Sequence, residues 1–320
     1  MQFGLATITF EQAPEAAVVV GDRALPTASL GLPGQVLALL EDWDAIFPRL
    51  AEAAEDASRF AGAPALEGLR IDAPCVPRQI FCTGANYRKH VIGLIMGDPS
   101  MRTAEHEGLS DEERRARAEA MMDERAKASL PFCFIKLPSC VVGPNDAVVL
   151  PRNVEKPDWE LELAVVIGRR ARHVSPEEAM DYVAGYAIAN DVTAREHIFR
   201  RDGSAIGADW LSGKCFPTFL PFGPMIVPKR FVPDPYSLNI RLAVNSQLFQ
   251  DESTADMMIG IERQVAYLSD RVELVPGDVI CTGSPYGNGS AFGIYLKPGD
   301  VMEGTITGLG TQRNPCIAEG

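Results

Sequence analysis

Two glutamates inside an otherwise apolar run are the residues best placed to do chemistry. In PDWELELAVVIG (157–168), Glu160 and Glu162 are two apart. In a strand they point to one face, with backbones about 6–7 Å apart. Two carboxylates beside leucine, valine and isoleucine repel each other unless a cation lies between them. Oxygen-only ligands with no neighbouring His or Cys favour a hard ion, Mg²⁺, Mn²⁺ or Ca²⁺. The alternative is an exposed strand face carrying two solvated glutamates. Asp191 in YAIANDVTARE follows a second apolar run and would stand at a strand end. Taken alone it reads as a turn aspartate bonding its own backbone; with Glu160 and Glu162 it completes a three-carboxylate face. His90 in GANYRKHVIG could act as a base near neutral pH or be an ordinary loop histidine. Lys214, in the apolar WLSGKCFPTFLPFG, could bind a carboxylate or move a proton, or else snorkel to the surface.

The elements that must carry these residues are short. From Pro77 onward, brief β-rich runs (QIFCTG, FCFIKLP, ELELAVVIG, YAIANDVT, LNIRLAVN, DVICTG, DVMEGTITGLG) alternate with Pro and Gly turns, which predicts a β-sandwich or rolled sheet. VPGDVI and KPGDVM are two copies of one turn feeding a strand. Residues 1–30 read as three short strands. Val36, Leu37, Leu40, Trp43, Ile46, Phe47 and Leu50 keep a helical period, and GAPALEGLRIDAPCVP reads as a linker. The expected division is a small α/β unit over 1–73 and a larger unit over 74–320. Three helices are expected in the latter, opening at Ser110 and Ser175 by capping boxes and at Thr254. The one after Ser110 is highly charged and reads as a solvated helix, a lid or an oligomer-ordered segment.

Composition narrows the function classes. The 320 residues hold 30 Lys+Arg against 43 Asp+Glu, a net charge of −13, which argues against nucleic acid as a partner. No apolar run is long enough to span a bilayer. The seven cysteines are odd in number, widely spaced and without a CxxC pair, so free thiols are expected. With no basic residue ahead of the first apolar stretch, there is no secretory signal pattern; a cytoplasmic location is the expectation. GxSxG, Walker A, GxGxxG and HExxH patterns are absent. A glycoside hydrolase needs carboxylates on opposing sides of a sugar bond, whereas Glu160 and Glu162 share a face. A Ca²⁺-braced, non-catalytic β-module remains an alternative.

In order along the chain, GANYRKH, FIKLPSCVVGPNDAVVLP, WELELAVVIG, ANDVTARE, GKCFPTFLPFGPMIVP, VNSQLFQDESTADMM, VPGDVICTGSPYG and KPGDVMEGTITGLGTQRN resemble the fumarylacetoacetate hydrolase family. The resemblance covers about residues 80–314. It implies an α+β, mainly β fold, a mixed β-sandwich roll that is usually dimeric. A divalent metal is implied at Glu160, Glu162 and Asp191, Mg²⁺ or Mn²⁺ with Ca²⁺ as a further option. It implies that His90 begins a lid (about 91–130) and activates water, that Lys214 positions substrate or assists proton transfer, and that Tyr87, Arg195, Lys214 and Ser284 contact substrate. The activity implied is hydrolysis of a C–C bond in a 2,4-dioxo acid to pyruvate plus a carboxylic acid.

Three departures bear on that activity. The family's glutamate three residues after the histidine is here Gly93, with Glu105 or Glu107 as stand-ins. Arg-Asp-x-Gln reads Arg195-Glu196-His197-Ile198, and the lid is long. A metal-dependent lyase or isomerase on a 2-oxo acid is therefore the second reading.

Overall fold

In a computed structural model, the structure describes residues 1–10, 13–97, 104–199 and 207–320. A six-stranded mixed sheet runs in the order 227–228, 183–190, 161–167, 279–281, 80–84, 132–136. Its one parallel pair is Val279–Cys281 against Ile80–Gly84. A five-stranded sheet, ordered 247–253, 239–244, 301–306, 310–318, 148–150, packs against one face. The chain thus has the expected rolled β-sandwich with a small α/β region at its N-terminus.

Strand alternation explains both the core and the site. From the central strand Leu161–Ile167, Leu161, Leu163, Val165 and Ile167 point into a core shared with Ile240, Leu242, Val244, Met302 and Ile306. Ala164 and Val166 point the other way, to a second core shared with Leu5, Val18, Leu39, Leu40, Trp43 and Leu50. The N-terminal four-stranded sheet, ordered 23–26, 13–20, 4–10, 70–72, and the helices over 36–61 therefore cover that second face. Glu160 and Glu162 lie on the same face, beyond the covered end.

Several local expectations change. The segment read as a linker supplies strand Arg70–Asp72, which pairs with Thr7–Thr9. The helical period read from Val36 to Leu50 is divided between Val36–Glu41 and Trp43–Glu55, broken at Asp42, and Ala57–Ala61 follows a second break at Asp56; both aspartates are in non-helical conformations. Ser175 does bond Glu178, yet only turns and a 3₁₀ turn at Ala179–Tyr182 follow. The helix expected from Thr254 begins at Ile261: Ser253 caps a single 3₁₀ turn, and Gly260 is extended at φ −62°, ψ 164°. The charged helix Asp111–Ala128 forms with its full Ser110–Glu113 capping box. Both Pro-Gly-Asp turns are alike. Gly277 and Gly299 have φ +87° and +97°, and Asp278 and Asp300 each accept the N–H three residues back at 2.7 Å.

Candidate metal centre and its cavity

Glu160 precedes the central strand, Glu162 lies within it, and Asp191 follows the neighbouring strand Val183–Asn190. The pairing Leu161↔Asn190 brings the three together, and Asp191 N–H donates to Glu160 O at 2.8 Å. All three side chains are buried, and their ligand oxygens lie within 4.8 Å of one another.

Cations hold two of the three. Lys214 Nζ, at the end of the short helix Trp210–Lys214, bridges Glu160 Oε2 at 2.7 Å and Asp191 Oδ2 at 2.6 Å. Lys136 Nζ, at the end of strand Phe132–Lys136, meets Asp191 Oδ1 at 2.7 Å. Arg195 joins Asp158 Oδ2 at 2.8 Å to Glu160 Oε1 at 2.5 Å. Burial works against the Glu160 charge, but Arg195 and Lys214 more than offset it and hold the carboxyl down at about 2. The Lys214 ammonium is likewise pushed above its ordinary range: burial opposes its charge, and Asp191 and Glu160 outweigh that.

Glu162 differs. It accepts the Gly283 N–H at 2.8 Å, but among the described residues no lysine or arginine pairs with it. Burial, and then Asp191 beside it, push its carboxyl well above the ordinary range. A buried carboxylate set with one member lacking a cation, and with oxygen donors only, fits a hard divalent ion.

A cavity of about 510 Å³ opens over Glu160 and Glu162, with His90, Arg195, Lys214 and Ser284 on its walls. Phe134, Trp210, Leu94 and Ile198 give it apolar sides. Burial lowers the His90 imidazole to about 4, with Glu160 opposing and Arg195 and Lys214 adding to the shift, so the ring is neutral near pH 7. Ser284 Oγ is tied to Gln250 and Asn288. Tyr87 does not line the cavity. Its ring is wholly buried in the core, and its backbone bridges Met257.

The region expected as a lid forms a helical hairpin from Arg88–Gly97 and Asp111–Ala128, with 98–103 outside the described residues. Gly93 and Leu94 face the cavity. Neither glutamate offered as a partner for His90 fills that role: Glu105 is exposed and paired with Arg117, and Glu107 is exposed. At Gly93 itself, an added Cβ would lie 2.7 Å from the Tyr286 ring. The space a side chain would need there is already filled.

Lys136, Asp158, Lys156 and Asn288 escaped the sequence reading. Lys136 had a signal, because it shares a strand face with Phe134. Asn288 sits in a glycine-rich loop and had none. Lys156 lines the mouth with its Nζ 5.9 Å from the Tyr295 ring centre, and no carboxylate among the described residues pairs with it.

Residues 79–317 match the family model described as fumarylacetoacetate (FAA) hydrolase C-terminal. Fumarylacetoacetate hydrolase domain-containing protein 2 of Pongo abelii is 43% identical over 189 residues, 58% of this chain and 59% of that protein. The mitochondrial oxaloacetate tautomerase fahd2 of Xenopus laevis is 41% identical over 189 residues, 58% of each. The chain thus spans under two thirds of these relatives. Among solved structures, maleylpyruvate hydrolase from Sphingobium sp. SYK-6, in complex with manganese(II) and pyruvate, aligns with a TM-score of 0.73 and 27% identity over 99% of this chain and 100% of that one. The expectation of a cytoplasmic location is overturned by the mitochondrial tautomerase. All seven cysteines are free, but free thiols report a reducing environment and not which compartment supplies it.

Proposed function

Because the chain belongs to the fumarylacetoacetate hydrolase family, we propose that it is a divalent-metal-dependent isomerase that interconverts the enol and keto forms of a short 2-oxo dicarboxylic acid such as oxaloacetate. The observation that carries this reading is that His90 pairs with no carboxylate among the described residues. Water activation by a His–Glu dyad needs a carboxylate against the imidazole, and here Gly93 and the Tyr286 ring occupy its place. Enol–keto exchange needs a proton carrier but no hydroxide. The likeness to an oxaloacetate tautomerase points the same way.

A divalent ion, Mg²⁺ or Mn²⁺, held by Glu160, Glu162 and Asp191 would supply Lewis acidity toward the oxygens of a 2-oxo acid. Neutral His90 has a lone pair to take the proton from the carbon next to the keto group and deliver it to the keto oxygen, and to carry it back in the reverse direction. Lys214 remains an ammonium, so it acts as fixed positive charge and not as a base. Arg195 adds a second fixed charge. Lys156, at the mouth, suits the second carboxylate of a dicarboxylic substrate. Phe134, Trp210 and Leu94 keep the reacting atoms away from bulk water.

The enol absorbance of oxaloacetate, followed with Mg²⁺ or Mn²⁺ and again after EDTA, tests the reading. Faster enol decay with total oxaloacetate unchanged, lost on chelation, is expected. Cleavage of an acylpyruvate to pyruvate and a carboxylic acid, without enol–keto acceleration, would overturn it in favour of the hydrolase. That second reading keeps one support, the likeness to a maleylpyruvate hydrolase.

The assembly is proposed to be a homodimer. Strand Phe132–Lys136 is an open sheet edge, and Leu130, Phe132, Ile135 and Leu137 are exposed along it. A long apolar edge is a pairing surface unless covered. Light scattering on the Ile135→Lys variant should show a monomer where the parent is a dimer; a monomeric parent removes the proposal.

A further inference from the structure

Asn288 is buried beside the cavity, and its side chain is held from one end only. Its Nδ2 donates to the Trp159 carbonyl at 3.1 Å and to Ser284 Oγ at 3.3 Å. A carbonyl can only accept, so the amide's NH₂ end must face Trp159, and this sets the orientation of the whole group. Its other end is diverted. Asn288 occupies the N-cap of the 3₁₀ turn Gly289–Ala291, where an asparagine oxygen ordinarily accepts a backbone N–H, yet it makes no cap bond. Oδ1 is buried and meets no donor in regular geometry. His90 is carried on the helix Arg88–Gly97, which packs on this same turn, and Asn288 is among the groups that favour the protonated form of its ring.

The loop that presents Asn288 is fixed independently of it. Asp158 accepts the N–H groups of Gly289 at 2.6 Å and Ser290 at 3.0 Å, and Trp159 Nε1 donates to Gly287 O at 2.9 Å. This buried acceptor is therefore preorganised from the segment 158–160, which leads into the central strand and carries Glu160.

We propose that Asn288 is the positioning residue for His90: its Oδ1 accepts one ring N–H, fixes the tautomer, and leaves the other ring nitrogen's lone pair facing the cavity. An amide fixes the ring as a carboxylate would, but adds no negative charge to stabilise an imidazolium. His90 is thus suited to passing a proton between two atoms of a bound substrate. It is a weak generator of hydroxide from water. The inference rests on the isomerase reading for what the proton transfer accomplishes, though not for the contact itself.

Nitrogen-15 spectra of histidine-labelled protein test the contact, with His90 assigned by its loss in His90→Gln. The parent protein at neutral pH should show one neutral His90 tautomer. Asn288→Ala should show two in exchange, with kcat for enol–keto conversion down about 10- to 100-fold and KM changed far less. Asn288→Asp, which restores an acceptor and adds a charge, should move the His90 signals toward the imidazolium form despite Arg195 and Lys214 nearby, with Glu160 assisting. Two tautomers in the parent itself would overturn the proposal even if no variant folds. So would an Asn288→Ala variant that keeps the parent's tautomer and kcat. A single tautomer that Asn288→Ala scrambles, in a protein inactive on any enol, would sink the isomerase reading and leave the positioning role standing.

Discussion

Around Glu160, Glu162 and Asp191 each side chain is held from several directions, whereas the hairpin above them is held mostly at its ends. The carboxylates stand on two adjacent strands, with Lys136, Lys214 and Arg195 closing on them from three further elements. In the hairpin, the 18-residue helix Asp111–Ala128 buries only Ala118 and Met122, which meet Val91, Ile92 and Ile95 of its partner helix. Its anchors are polar and terminal. Asn86 bonds Ile259 and Thr282, and Arg263 caps the carbonyls of Ala126 and Ser129. The contrast separates two tasks. Rigid strands fix the charge pattern of a metal centre to fractions of an ångström, while a thinly packed hairpin can open without disturbing it.

The largest expected effect follows from breaking the rigid half. Glu162→Ala should lower enol–keto turnover by about three orders of magnitude or more, since it removes one of three ligands to the implied ion. It should also abolish the rise in melting temperature that Mn²⁺ gives the parent, a gain of about 2.7 kcal/mol at a hundredfold excess over Kd. Thermal melts across a Mn²⁺ titration check this without an activity assay. An unchanged Mn²⁺ response would place the ion elsewhere.

A second effect distinguishes the carboxylates from each other. Glu160→Gln removes one of two carboxylate partners from buried Lys214 and from half-buried Arg195 and should cost about 1.5–3 kcal/mol of stability in urea without metal. Glu162→Gln breaks no ion pair with a described residue and should cost less than about 1 kcal/mol. Equal losses would mean that Glu162 is braced by something other than the Gly283 N–H.

How much of this was legible from sequence depended on whether the signal was local. Glu160 and Glu162 could be read because period-two alternation in an apolar strand leaves two carboxylates on one face. The small-unit strands and the Ser110 cap were equally local. Lys136 shares a strand face with Phe134, but neither it nor Asp158 could be joined to the site, because their partners Asp191 and Arg195 are 55 and 37 positions away. That Gly93 lacks a carboxylate was visible; that the Tyr286 ring fills its space was not, since the two are joined only by the fold. Helix starts misled where a cap was real but the continuation was not, as at Ser175, whose bond to Glu178 closes a turn and nothing longer.

The smallest effect sharpens the comparison most. Met122 is buried at the centre of the hairpin's small apolar cluster, so Met122→Ala removes side-chain contacts worth about 2–3 kcal/mol. If the hairpin opens on its own, that loss appears as roughly 30- to 150-fold faster hydrogen exchange across 88–97 and 111–128. The central strand 161–167 keeps its exchange rates. KM for the 2-oxo acid should rise a few-fold and kcat should fall with it, because His90, which moves the proton, rides on the helix 88–97 and only the closed population holds it over the carboxylates. Faster exchange in 161–167 by the same factor would show that hairpin and sheet unfold as one unit. The contrast between a fixed charge centre and a separately mobile roof would then be a difference in packing density alone, with no separate motion behind it.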